Sequence, residues 1–421
     1  MYRKVKGTQD FFGIEAKKLR HLEGIIRAVI EKFGYEEIIT PIFENTEVFV
    51  RSSGEESDIV SKEMYTFDDK GGRSLTLRPE GTAPVVRAFL ENKLYARRAL
   101  NKYYYFGPMF RYERPQAGRY REFNQFGIEA FGASSPYLDA DVIISAAEIF
   151  KALGIENIKL KINTIGDFAS RAAYSALLKE HFGKGISSLC DDCARRLDRN
   201  PLRILDCKID RDNPLLKNAP KIEAVLSAEA KAYFQKVLKI LDASGISYEV
   251  DPNLVRGLDY YTDTVFEFIL ESDDELGGLA VCAGGKYSDL VRSFNGPDIP
   301  GIGYAFGIER IIAIMDKQNL FPDLASRADI VLISLDEEAK EKALLLARAL
   351  RGAGFYAELD YQNFNLKPQF RLSEQVDAKF LVIIGEEELK NKQLAVKNAL
   401  TKEQELIPET KILEYFKENL K

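Results

Sequence analysis

The 421-residue chain has no tryptophan and only two histidines, His21 and His181. A Ser-His-Asp hydrolase needs one well-placed histidine, but a multi-histidine metal centre is nearly excluded by so few. Any chemistry must fall to arginine, carboxylates, tyrosine, backbone amides and bound ions. Cysteine is also scarce. Cys190, Cys193, Cys207 and Cys282 are too few for a disulfide framework in a chain of this length. No apolar run approaches the ~20 residues of a membrane span, and the Met-Tyr-Arg-Lys start has no signal-peptide apolar region. A reducing, cytoplasmic setting with no membrane partner is expected. Excess basic charge is missing too: 59 Lys and Arg stand against 65 Asp and Glu, a net −6. A nucleic-acid partner would have to find a local patch.

What remains is ordinary globular composition, long enough for two or three domains. Leu19, Leu22, Ile25, Ile26, Val29, Ile30 and Phe33 recur at helical spacing and predict a helix over 17–33, stopped by Gly34. A short strand over 35–40 follows and ends at Pro41. Residues 103–132 read as a β-hairpin, and an amphipathic helix is expected over 139–153. Residues 168–245 turn helix-prone and highly charged, like a helical insertion between β-rich stretches. After Pro322 the pattern alternates strand and helix, which predicts a separate small α/β domain. The division expected is 1–325 and 326–421. The C-terminal part is nearly balanced in charge; Lys390, Lys392 and Lys397 could touch phosphates, but a solvated edge is the reading preferred.

Four constellations could carry chemistry. Alternation places Gln125, Gly127 and Glu129 on one strand face and Phe126, Ile128 and Ala130 on the other. The second face should pack on helices. The first is polar, and its glycine would let a ligand approach the backbone. Arg111, Arg114, Arg119 and Arg121 fall within the same hairpin, suited to a polyanion because arginine pairs bidentately with phosphate, or to plain solvation. Arg78-Pro-Glu-Gly-Thr is a proline-fixed turn on which Glu80 and Thr82 could hold an ammonium group or serve as caps. Leu254-Val-Arg-Gly-Leu-Asp-Tyr-Tyr sets Arg256 among apolar residues, with Tyr260 and Tyr261 behind it, as a ligand site or as an Arg–Asp pair with core tyrosines. Gly301-Ile-Gly-Tyr-Ala-Phe-Gly has the wrong spacing for a dinucleotide fingerprint; with Arg310 it fits an open floor with a cation at its end. Cys190-Asp-Asp-Cys193, Cys207 and His181 make an irregular Cys3His set without a second C-x-x-C, and reduced structural thiols are the reading kept, with no metal assigned.

In this order the pieces resemble a class II aminoacyl-tRNA synthetase. The helix, strand and Pro41 look like its motif 1, the Arg111 hairpin like motif 2, and Gly301 to Arg310 like motif 3. Within the class the chain resembles the histidyl-tRNA synthetases, through Val5-Lys-Gly-Thr-Gln-Asp, Arg78-Pro-Glu-Gly-Thr, Phe110-Arg-Tyr-Glu-Arg-Pro-Gln, Gly118-Arg-Tyr-Arg-Glu-Phe and above all Leu254-Val-Arg-Gly-Leu-Asp-Tyr-Tyr. The resemblance covers nearly the whole chain. It implies an α+β fold: an antiparallel sheet flanked by helices, a helical insertion and a C-terminal α/β anticodon-binding domain.

The resemblance also implies a homodimer that joins L-histidine to tRNA(His), through a histidyl-adenylate made from ATP with Mg2+. By the same resemblance Glu80, Thr82 and Gln125 hold the histidine amino end. Glu129 and Tyr261 hydrogen-bond the imidazole nitrogens, and Tyr260 and Tyr287 belong to the same pocket. Arg111 binds the α-phosphate and Arg310 the γ-phosphate, while Glu113 and Arg119 contact ATP. Arg256 lies across the α-phosphate and substitutes for a metal ion used by related enzymes. Gln116 approaches the tRNA acceptor end. The alternative is the non-catalytic paralogue that serves as a regulatory subunit of ATP phosphoribosyltransferase. Such proteins generally lack the Arg256-type peptide and the C-terminal domain.

Overall fold

The computed structural model describes residues 2–53, 57, 59–114, 118–256 and 260–420. The chain divides into two compact units, Met1–Pro322 and Asp323–Lys421. In chain order the first unit contributes β1 (Glu36–Glu37), β2 (Phe43–Asn45), β3 (Tyr65–Asp68), β4 (Ser74–Leu77), β5 (Asn101–Phe110) and β6 (Glu122–Phe131). It continues with β7 (Ile158–Thr164), β8 (Tyr248–Val250), β9 (Thr262–Leu270), β10 (Ala280–Tyr287) and β11 (Gly301–Gly307). Eight of these form one sheet in the order β1-β5-β6-β11-β10-β9-β7-β8, and β2-β4-β3 form a small second sheet. The six inner strands of the large sheet are antiparallel, and only its edge strands β1 and β8 pair in parallel.

The two faces of this sheet bury different cores. The helix Gly13–Ile30 presents Leu19, Leu22, Ile26 and Ile30 to the first. It ends in a 3-10 turn at Gly34, whose φ of +78° suits glycine. Helices Pro136–Ala152, Ala228–Ala243 and Ile308–Lys317 complete that face over Phe126, Ile128 and Ala130. The hairpin alternation is therefore realised: the apolar face of β6 packs on helices, and Gln125 and Glu129 point the other way. The second face is bordered by helix Thr82–Glu91 and by helices Phe168–Gly183 and Asp191–Arg199. The helix-rich stretch 168–245 thus contributes to both cores, because Ala228–Ala243 packs on Pro136–Ala152.

The strand predicted over 35–40 is only two residues long. It sits on the sheet edge, where a parallel pairing to β5 is its one source of ladder bonds. The helix predicted over 139–153 begins earlier, at Pro136, because the Ser135 hydroxyl accepts from the Tyr137 N–H and caps it.

The second unit holds β12 (Ile330–Ser334), β13 (Ala357–Leu359), β14 (Phe380–Ile384), β15 (Gln393–Asn398) and β16 (Gln404–Pro408) in the order β13-β12-β14-β15-β16. The first three are parallel, joined through helices Glu337–Gly352 and Leu366–Gln375. β15 and β16 extend the sheet antiparallel.

Candidate active site

A cavity of about 260 Å³ opens on the second face of the large sheet. Its floor is built from small residues that pairing brings side by side. In register, Gly127 of β6 lies beside Ala305 of β11, then Ala283 of β10, then Glu267 of β9. The next row begins with Glu129 and continues through Gly303 and Gly285. Ala283, Ala305 and Gly303 keep this floor low beneath a ligand, while Gly127 and Gly285 make room for the Tyr105 and Tyr261 rings.

One end of the cavity is a closed polar pocket. Glu129 is 1% exposed, and its carboxylate accepts from the Thr82 hydroxyl at 2.6 Å and from the Tyr287 hydroxyl. Burial, helped by the nearby charge of Glu80 and opposed by those two hydrogen bonds, raises the Glu129 carboxyl to about 8. Glu80 is also buried, and burial pushes its carboxyl upward. Its oxygens accept from the backbone N–H groups of Thr82 (2.6 Å) and Ala83 (2.9 Å), at the start of helix Thr82–Glu91. Glu80 therefore does cap a helix while also lining the cavity. Tyr260 and Tyr261 pack with ring centroids 4.6 Å apart, and Tyr260 lies 5.6 Å from Tyr287. Gln125 Oε1 is buried and, among the described residues, has no hydrogen-bond partner. An acceptor left this way is costly unless a ligand donates to it.

The other end is cationic. The Arg111 Nε donates to the Pro79 carbonyl (2.8 Å), and the guanidinium lies 5.3 Å over the Phe123 ring. Arg119 donates to Glu113 at 3.0 Å. Arg310 is anchored by Gly118 O (3.0 Å) and Ala280 O (2.6 Å). Burial and the like charges of Arg119 and Arg111 pull its pKa down, which marks a site short of negative charge. Arg256 enters from the opposite wall, ion-paired to Glu267 and 5.6 Å over the Tyr261 ring. Its Nε is buried without a partner among the described residues.

The structure thus brings all the site residues expected from the sequence to one cavity: Glu80, Thr82, Arg111, Glu113, Arg119, Gln125, Glu129, Arg256, Tyr260, Tyr261, Tyr287 and Arg310. Gln116 lies outside the described residues. Three local readings change. Of the four hairpin arginines only Arg111 and Arg119 line the cavity; Arg121 stacks 4.1 Å over Tyr112 and Arg114 is exposed. Gly127 makes room for the Tyr105 ring, which a Cβ there would overlap, rather than for a ligand. His181 is not among the side chains that gather at the cysteines, and its Nε2 lies 2.9 Å from the Leu215 carbonyl.

Tyr105, Phe123 and Glu267 line the same cavity without having been singled out in the sequence. Only Glu267 carried a local signal, as the carboxylate inside Thr264-Val-Phe-Glu-Phe-Ile-Leu.

Gly303 gives a direct check on this geometry. A Cβ at this position would overlap both a carboxylate oxygen of Glu129 and the Ile128 carbonyl. Gly303→Ala is expected to cost about 1–3 kcal/mol of stability in chemical denaturation. It should also raise the KM for the ligand of the Glu129 pocket more than that for the ligand of the arginines.

A six-stranded antiparallel centre, a hairpin arginine at its second face and a glycine strand running into an arginine-bearing helix define a class II aminoacyl-tRNA synthetase. Residues 7–311 match the family model described as histidyl-tRNA synthetase, and residues 329–419 match that of the anticodon binding domain. The chain is 49% identical over 405 residues to the histidine–tRNA ligase of Bacillus subtilis, covering 96% of this chain and 95% of that protein. It is 46% identical over 416 residues to that of Geobacillus sp. (strain WCH70), covering 99% and 98%. The crystal structure of apo Staphylococcus aureus histidyl-tRNA synthetase superposes with a TM-score of 0.85 at 40% identity, over 99% of this chain and all of that one. The chain belongs to the histidyl-tRNA synthetase family.

Proposed function

We propose that this cavity joins histidine to ATP as histidyl-adenylate, and that the chain then passes the histidyl group to the terminal ribose of tRNA(His). The observation that carries the reading is the pairing, within one cavity, of an enclosed carboxylate–phenol pocket at Glu129 and Tyr287 with the four arginines Arg111, Arg119, Arg256 and Arg310. Glu129 and Tyr261 bind the imidazole nitrogens, with Tyr260 and Tyr287 closing the pocket. Glu80, Thr82 and the unpartnered Gln125 Oε1 receive the ammonium group. A side chain lacking two polar ring nitrogens would leave these buried groups unpaired and be rejected.

As the histidine carboxylate attacks, negative charge grows on a five-coordinate α-phosphorus and pyrophosphate leaves. Arg111 and Arg256 stabilise that charge from opposite walls, Arg310 holds the γ-phosphate, and Arg119 with Glu113 contacts the nucleotide. No protein acid or base is required. Glu113 and Glu267 offer hard oxygen donors on the cavity wall for Mg2+ arriving with ATP, where the ion would neutralise phosphate charge.

The C-terminal unit binds the anticodon in this reading. Two copies of the chain associate through the motif 1 region, which the exposed Ile39, Ile42 and Phe43 support. The unpaired cysteines fit a reducing cytoplasm. No helix among the described residues is long and apolar enough to cross a membrane.

ATP–pyrophosphate exchange with each of the twenty amino acids tests the reading. Exchange with histidine alone is expected. No exchange with any amino acid would return the chain to the regulatory-subunit alternative.

A further inference from the structure

The three cysteines near residue 200 have no part in this chemistry, yet they converge. Cys190, Cys193, Cys207 and Asp210 place one sulfur or carboxylate oxygen each within 4.8 Å of one another. The Sγ atoms of Cys190 and Cys207 are 3.7 Å apart, and Cys207 Sγ is 3.4 Å from Asp210 Oδ2. A tetrahedral zinc ion with Zn–S near 2.3 Å and Zn–O near 2.0 Å sets its ligand edges at about 3.8 Å (S···S) and about 3.5 Å (S···O). The fit is to a single ion, since an iron–sulfur cluster would hold its ligands farther apart.

The sequence explains why the site escapes a search for paired Cys-x-x-Cys. Cys190-Asp-Asp-Cys193 is followed by Cys207-Lys-Ile-Asp210, so a carboxylate stands where the fourth cysteine would be. Backbone groups already orient this set. The Asp210 N–H points at Cys207 Sγ (3.5 Å), and the Cys190 N–H donates to Asp210 Oδ2 (3.0 Å). Outer hydrogen bonds of this kind accompany metal ligands.

Packing supplies an independent argument. The helix Asp191–Arg199 reads Asp-Asp-Cys-Ala-Arg-Arg-Leu-Asp-Arg, and Cys193 is its one fully buried residue. Around it stand the helix Phe168–Gly183 and the short turns 186–188, 201–204, 214–217 and 222–224. A charged nine-residue helix that buries one sulfur and half-buries Leu197 has little apolar surface to hold it, and a metal–thiolate bond would supply a further anchor.

We propose that Cys190, Cys193, Cys207 and Asp210 form a structural zinc site that fastens this helix to the turn carrying Cys207. All four positions are filled by protein ligands, so the ion has no open coordination site and no role in catalysis.

The full-length protein, purified under reducing conditions and dialysed against metal-free buffer, is expected to carry about one zinc per chain by mass spectrometry of the metals. Replacement of zinc by Co2+ should give a thiolate-to-metal charge-transfer band and the intense visible bands of a tetrahedral ion. Asp210→Asn keeps the shape of the side chain, so it should fold while binding the metal at least about tenfold more weakly. His181→Ala should retain the metal in full. Absence of zinc together with no Co2+–thiolate band would overturn the site, as would a Cys190–Cys207 disulfide in the reduced preparation. An unchanged metal affinity in Asp210→Asn would remove Asp210 from the ligand set.

Discussion

Arg256→Ala should lower histidine-dependent ATP–pyrophosphate exchange by about 10²–10³-fold while changing histidine affinity only a few-fold. The expectation follows from where Arg256 stands. Its side chain is 18% exposed, held between Glu267 and the face of Tyr261, and its Nε has no partner among the described residues. A positioned cation with a free donor costs little to reorganise when phosphate charge appears, which is what makes such groups effective in a transition state. The hydrogen bonds that fix Glu129 in the imidazole pocket come from Thr82 and Tyr287 and not from Arg256, so ground-state histidine loses little. Removing one partner of a partly buried ion pair also leaves Glu267 uncompensated and destabilises the fold locally. The double variant Arg256→Ala/Glu267→Gln separates the two effects, since it should regain stability without regaining exchange. Exchange rates and calorimetric titration with histidine provide the measurements. Equal loss of exchange and of histidine affinity would contradict the assigned role.

Glu129→Gln is expected to raise the KM for histidine by about 10–100-fold with the KM for ATP nearly unchanged. The same substitution should make the ligand-free protein more stable at pH 8. The folded carboxyl titrates near 8 rather than at its ordinary 4.5, mainly because it is buried. Between those values the folded state holds a proton that the unfolded state releases, so wild-type stability declines as pH rises through this window. Below 4.5 both states are protonated and the penalty is absent. Glutamine removes the titration, and its melting temperature should therefore exceed that of the wild type by a few degrees at pH 8, with the gap closing near pH 4. Thermal melts across that pH range, paired with KM values for both substrates, test both halves. Selective loss of ATP binding would sink the assignment of Glu129 to the imidazole.

Much of this site was legible in the chain because short-range rules govern it. Period two along β6 separates Gln125 and Glu129 from Phe126 and Ile128, and pairing leaves that separation intact. Pro79 follows the strand Ser74–Leu77 and presents Glu80 on the turn that leads into the helix begun by Thr82. Other features depend on neighbours far along the chain. Gly127 and Gly303 are glycines because Tyr105 and Glu129 need their space, and those contacts come from strand register. Arg121 stacks on Tyr112 and donates to the Glu113 carbonyl instead of lining the cavity.

The chain by itself determined its elements, its polar faces and the motifs that place it in a family, since periodicity, turn chemistry and spacing are local properties. Only the tertiary structure decided that Glu267 would hold Arg256 across the cavity from Arg111, and that Asp210 rather than His181 would complete the cysteine cluster. Those outcomes depend on which strands and turns lie side by side, and the packing of the whole unit sets that order.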